Sequence, residues 1–141
     1  MIEVVTLMLI EKALDFIKNS NIGIHTVSSE GIIKYANEHE LRMLGYTEEE
    51  YIGHHVSEFQ FDKSCLEQMM NKLSKLESFS NFPAMVYGKH EIKYILYNSS
   101  VYEREGEFIH TRCFGNEISE SVYNACKFEY KKSLTDRVGK L

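Results

Sequence analysis

Residues 31–59 read GIIKYANEHELRMLGYTEEEYIGHHVSEF, one strand delivered into several short, separately capped helical turns. Ile32, Ile33 and Tyr35 are β-prone. Asn37 is placed to N-cap a helix, with Glu40 three residues later as in a capping box. Leu41 and Leu44 give that helix an apolar edge, and Gly45 ends it. Thr47 and Glu50 repeat the box, and Gly53 stops the second turn. A chain that starts and stops helices this often beside a strand builds the wall of a pocket, not a long bundle.

Outward from this stretch, the pattern predicts a helix over 3–19 and strands over 23–28 and 32–36. A longer helix runs from the cap Asp62 to about Leu76, with Leu66, Met69, Met70 and Leu73 on one stripe. Strands follow over 79–88, 91–103 and 107–116, and then a charged helical tail. Pro83 marks the first of these strands as irregular or at an edge. Arg104-Glu105-Gly106 is a hairpin signal. The sum is an α+β fold: a five-stranded antiparallel sheet with short helices on one face and a flanking helix at each end. The divisions are a flanking helix (1–20), a central domain (21–119) and a linker helix (120–141).

Leu7, Ile10, Leu14 and Ile17 recur at 3-4-3 spacing, a narrow seam suited to its own sheet or to a homodimer. At 141 residues, the chain has room for one core. A net charge of −5 argues against a nucleic-acid partner, because nothing neutralises a phosphate backbone. Three cysteines without paired spacing suggest a reducing compartment, and the apolar run from Val4 to Ile10 is too short to span a membrane. The expected location is therefore cytoplasmic.

The ordered set Gly31, Ile33, Tyr35-Ala36-Asn37, Leu44-Gly45-Tyr46, Glu49, Tyr51-Ile52-Gly53-His54 and Glu58-Phe59 resembles the PAS family of sensor domains. The resemblance resumes over residues 91–119, EIKYILYNSSVYEREGEFIHTRCFGNEIS, which is similar to the last two PAS strands. There Glu117-Ile118-Ser119 stands in place of the commoner Asp-Ile-Thr closing signature. The set is similar to PAS modules of multi-domain histidine kinases.

The resemblance implies a sensory or interaction domain, not an enzyme. It implies signalling through a homodimer to an effector such as a histidine kinase, in cis or in trans. Period-2 alternation divides the last strand into Ile109, Thr111, Cys113 and Gly115 on one face and Phe108, His110, Arg112 and Phe114 on the other. Matched to flavin-binding relatives, Thr111, Cys113 and Gly115 face the pocket, and so do Tyr94, Leu96 and Asn98 from the preceding strand. Phe59 and Met70, with Met43 and Met69, line or fill that interior. Phe108 and Phe114 then lie on the outer sheet face, where the first helix or a partner subunit would cover them.

The residues argue against particular cofactors. The adduct-forming cysteine of flavin photosensors would fall at Val56, Tyr94 replaces an expected asparagine, and Gly115 replaces a flavin-contacting glutamine. Haem-binding relatives use a histidine on the long helix. Residues 62–76 hold none, so His54, His55 or His90 would have to serve. His110 and Cys113 point to opposite faces and cannot chelate one metal. No phosphate-cradling or nucleophile-elbow motif occurs. The competing expectation is a ligand-free dimerisation module with a filled core.

Overall fold

The computed structural model describes residues 2–139, with side chains described for residues 3–6 and 12–129. In chain order the elements are α1 (Ile2–Lys18), β1 (Gly23–Val27), β2 (Ile33–Ala36), α2 (Glu38–Leu44), α3 (Glu48–Tyr51), a 3-10 turn (Val56–Glu58), α4 (Lys63–Ser74), β3 (Phe79–Tyr87), β4 (Ile92–Arg104), β5 (Glu107–Ile118) and α5 (Glu120–Gly139). The strands form one sheet in the order β2-β1-β5-β4-β3, each neighbouring pair antiparallel. This is the α+β, five-stranded arrangement that the sequence predicts.

The short helices form for the predicted reasons, with one exception. Thr47 and Glu50 make a complete capping box, and Gly45 closes α2 at a φ of 85°. Asn37 caps α2 by accepting from the Glu40 amide at 2.9 Å. The Glu40 carboxylate, however, does not reach back to the cap. It turns into the core and is 0% exposed. Glu40 lies on the same helical face as Leu44, one turn on, and that face is buried.

The sheet separates an inner face, carrying α2 to α4, from an outer one. Phe82, Ala84 and Val86 of β3 and Ile95 and Tyr97 of β4 are buried on the inner side, against Leu44, Met69 and Leu73. β3 is an edge strand, as Pro83 suggests, and its register shifts between Phe79 and Phe82. The edge is not bare. Phe61 donates to the Met85 carbonyl at 3.0 Å, and Tyr87 donates back to the Phe59 carbonyl at 2.7 Å.

A bulge in the β4–β5 hairpin decides which side chains enter the core. At the turn Arg104 pairs with Glu107 and Glu103 with Phe108, but Tyr102 then pairs with His110, leaving Ile109 as the extra residue. From there inward Val101 faces Thr111, Ser99 faces Cys113 and Tyr97 faces Gly115. Counted from the turn without the bulge, Asn98 would instead oppose Cys113, and every β4 side chain would change face. Tyr94, Leu96 and Asn98 therefore lie on the outer face, contrary to expectation, and Ile95, Tyr97 and Ser99 take the inner one. The bulge moves β5 residues too. Phe108 packs against the core cluster instead of lying outside, while Ile109 is 39% exposed. Phe114 remains on the outer face, at 37% exposure.

The outer face of β3 and β4 is covered by α5. Tyr123 of α5 is 3% exposed, its ring 5.0 Å from that of Tyr94. Lys127, one turn further on, reaches to 3.9 Å from Asp62, the cap of α4. By contrast, Val4, Val5, Leu14 and Phe16 of α1 are 52–76% exposed. Of the expected seam, Leu14 is thus open and Ile17 half-buried, and the Leu7 and Ile10 side chains lie outside the described residues. α1 is held at its end, where the Asn37 amide nitrogen donates to the Ile17 carbonyl at 3.0 Å.

Candidate functional site

Beneath α4 the inner face leaves a cavity of about 40 Å³. Leu66, Met69, Met70 and Leu73 of α4 roof it. Its floor is the sheet: His25 and Val27, Phe79, Tyr97 and Ser99, and Thr111 and Cys113, with Val56 and Gln60 closing one side. One water needs roughly 10–15 Å³ measured this way, so the space suits about three water-sized groups. Pockets for drug-sized ligands run to roughly 300–1,000 Å³. Met69 and Met70 of α4 border this space, and methionine repacks readily.

Thr111, Cys113 and Met70, all expected at the site, line this cavity. Gly115 continues the same face, but the Tyr97 ring covers it. A Cβ there would meet Ile95 Cγ2 and Tyr97 Cε1 at 3.0 Å, so the glycine makes room for the ring opposite. Phe59 is buried beside the cavity in an aromatic cluster, its ring 4.9 Å from Tyr51 and 5.1 Å from Tyr46. Tyr94, Leu96 and Asn98 point away from it.

The polar heart of the site was not foreseen. His25 lies directly across from Cys113 in the β1–β5 register. Its Nδ1 is 3.4 Å from Glu40 Oε2, and the Tyr51 hydroxyl donates to Glu40 Oε1 at 3.3 Å. Gly23, two residues before His25, admits the carboxylate: a Cβ there would meet Glu40 Oε2 at 2.6 Å. Cys113 Sγ is 3.2 Å from Thr111 Oγ1, which also accepts from the Val27 amide at 2.9 Å. A buried carboxylate, imidazole and thiol thus form a line that ends at the cavity wall.

The electrostatics favour charge on the imidazole and the thiol. Burial works to strip the His25 proton. The charges and hydrogen bonds of Cys113 and Glu40 outweigh it and hold the pKa well above the ordinary histidine value. Burial likewise pushes the Cys113 thiol up, but the His25 charge and hydrogen bonds from His25, Ser99 and Thr111 bring it below the usual cysteine value. Tyr51 and Tyr97 go the other way, raised well up by burial and then by the Glu40 charge, so both stay neutral.

Gln60 supplies a further feature. It is 8% exposed, lines the cavity, and its Oε1 has no hydrogen-bond partner. A buried acceptor left without a donor costs roughly 1–3 kcal/mol, which a donor entering the cavity would recover. Among the described residues, no three His, Cys, Asp or Glu side chains are placed to hold a metal ion, and no helix is long and apolar enough to cross a membrane.

With this geometry in hand, the comparisons define the class. A five-stranded sheet of this order with a small pocket under the long helix is the architecture of sensory domains. The PAS domain model matches residues 21–125, and the chain belongs to that family. Among solved structures it is similar to the PAS domain of an HTR-like protein from Haloarcula marismortui, with 20% identity, a TM-score of 0.69, and 82% of this chain and 97% of that one covered. It is also similar to a PAS domain from a two-component sensor histidine kinase, with 16% identity, a TM-score of 0.67, and coverage of 80% and 99%. A third similar structure is the light-oxygen-voltage domain of the blue-light photoreceptor Aureochrome1, with 16% identity, a TM-score of 0.71, and coverage of 88% and 93%. At such identities these structures bear on the fold alone. No match was found among curated protein sequences.

Proposed function

We propose that this PAS domain senses through the cavity beneath α4 and passes the change to α5, acting as a homodimer on an effector such as a histidine kinase, in cis or in trans. One observation carries the reading. β4 presents Tyr97 and Ser99 to the cavity and, on its other face, Tyr94 to Tyr123 of the tail helix. A shift of that strand is felt on both sides at once, because packed interiors transmit displacement and do not absorb it. The unpartnered Gln60 acceptor supports a small ligand that carries an O–H or N–H donor. Thr111, Cys113, Met70, Tyr97 and Ser99 are its proposed contacts.

The exposed apolar side chains of α1 favour a second, compatible reading, a ligand-free dimerisation module. Native mass spectrometry of purified protein, compared with the denatured mass, separates the two. Dimers with extra non-covalent mass per chain are the expected result. A dimer without added mass favours the dimerisation module, and a bare monomer overturns both. Leu14→Asp places a charge on the open face of α1 and should convert the dimer to a folded monomer. A dimer of unchanged strength by light scattering would remove α1 from the interface.

A further inference from the structure

We propose that Cys113 is a peroxide-sensing thiol, oxidised within the cavity to a sulfenic acid while His25 supplies the proton for the departing oxygen. The inference rests on the cavity being the point of signal entry, but it requires neither a co-purifying ligand nor a dimer. The native-mass result and the oxidation result can therefore fail separately.

Four features converge on this chemistry. The thiol lines a space of about 40 Å³, of the order of a peroxide molecule and little more. The imidazole is directly across the strand pair, and the Glu40 carboxylate, 3.4 Å behind it, holds its other nitrogen. Gln60 Oε1, buried and without a partner, is a ready acceptor for a peroxide O–H. Thr111 Oγ1, 3.2 Å from the sulfur, accepts from the thiol and can turn its own hydroxyl proton to the sulfur once the thiol has ionised.

The step balances within the site. The Cys113 thiolate attacks one peroxide oxygen, an S–O bond forms and the O–O bond breaks. Sulfur gives up two electrons to the peroxide. The leaving hydroxide takes the His25 proton and departs as water, leaving a neutral sulfenic acid and a neutral imidazole. Glu40 on α2 then loses its charged partner while remaining fully buried. Oxidation at β5 would thereby strain the contact between β1 and α2, a change the fold can report.

The reactivity is set by groups from every element packed on the thiol. These are His25 from β1, Glu40 from α2, Tyr51 from α3 and Tyr97 from β4. The two tyrosines stay neutral, so the imidazolium governs and brings the Cys113 thiol below the ordinary cysteine value.

The test uses the full chain and hydrogen peroxide, with trapping of free thiols and peptide mass mapping. Cys113 should gain one oxygen at least about tenfold faster than the half-buried Cys65 and Cys126, despite its deeper burial. Dithiothreitol should reverse the gain, whereas oxygen on Met69 or Met70 persists. The midpoint of the pH–rate profile should lie below 9.0. Gln60→Leu, which removes the buried acceptor without touching the β1–β5 pairing, should slow Cys113 about tenfold and leave Cys65 unchanged. His25→Gln should do the same and shift the pH profile upward. Oxidation confined to the methionines, or Cys113 reacting no faster than the other two cysteines, overturns the proposal. So does a profile whose midpoint lies at or above 9.0 in the unmutated protein, a result that does not depend on any variant folding.

Discussion

Replacing Asn37 by alanine is expected to destabilise the domain by about 3–5 kcal/mol, far beyond an ordinary N-cap loss of roughly 1 kcal/mol. Asn37 is 1% exposed and joins three parts of the fold. Its Oδ1 accepts from the Glu40 amide of α2 at 2.9 Å and from the Ile24 amide of β1 at 3.0 Å. Its Nδ2 donates to the carbonyls of Ile17 at 3.0 Å and Ile22 at 2.9 Å, and lies 3.1 Å from Ser20 Oγ. Alanine strands donors and acceptors together in a space that water does not freely reach. Urea unfolding measures the loss as a lower midpoint at an unchanged slope. Asn37→Asp separates the roles, since it keeps the acceptor and loses the donor. It should retain α2 yet speed amide exchange at the end of α1. An alanine variant within about 1 kcal/mol of the parent would mean that Asn37 is only a cap.

Asn37 also shows how far this sequence can be read. Its capping role is a local signal, three residues from its partner, and local signals were legible. They gave the helix starts at Asn37, Thr47 and Asp62, the stop at Gly45 and the hairpin at Glu105-Gly106. The other bonds of Asn37 run to residues 13–20 positions away, and no periodicity announces them. Glu40 was hidden by its own local plausibility, because a glutamate three residues after an asparagine reads as half of a capping box. Its place beside Leu44 on the helix, facing the small Gly23, was the overlooked sign of burial.

The hairpin was the costlier difference. Ile95, Tyr97, Ser99 and Val101 are more apolar than Tyr94, Leu96, Asn98 and Ser100, so alternation within β4 favours the observed face, and the expectation drawn from flavin-binding relatives runs against it. The register that delivers this face depends on one extra residue at Ile109, where nothing in the composition marks a bulge. Thr111 and Cys113 fall on the expected inner face because they lie on the far side of the bulge from the turn and belong to a set of smaller residues. His25 passed unremarked as a lone histidine on a strand. Only the sheet order, which sets β1 beside β5, brings it to Cys113.

That juxtaposition makes a second large effect testable. His25→Leu should cost about 3–5 kcal/mol, the usual consequence of removing one partner of a buried ion pair. Glu40 would be left 0% exposed with Tyr51 as its remaining hydrogen-bonding side chain. Thermal unfolding should fall on the order of 10 °C for a domain of this size. The reverse single change, Glu40→Leu, should cost less, because an abandoned imidazole can shed its proton and stay neutral, whereas an abandoned carboxylate is left fully buried without its charged partner. The double variant His25→Leu/Glu40→Leu should recover most of the loss, since replacing both members by apolar groups removes the desolvation cost along with the attraction. A double variant as unstable as the sum of the singles would mean that the two side chains act through separate contacts. Recovery, by contrast, would show that the pair is retained at little net gain in stability. The charge that Glu40 keeps on His25 would then have its use at the thiol across the strand.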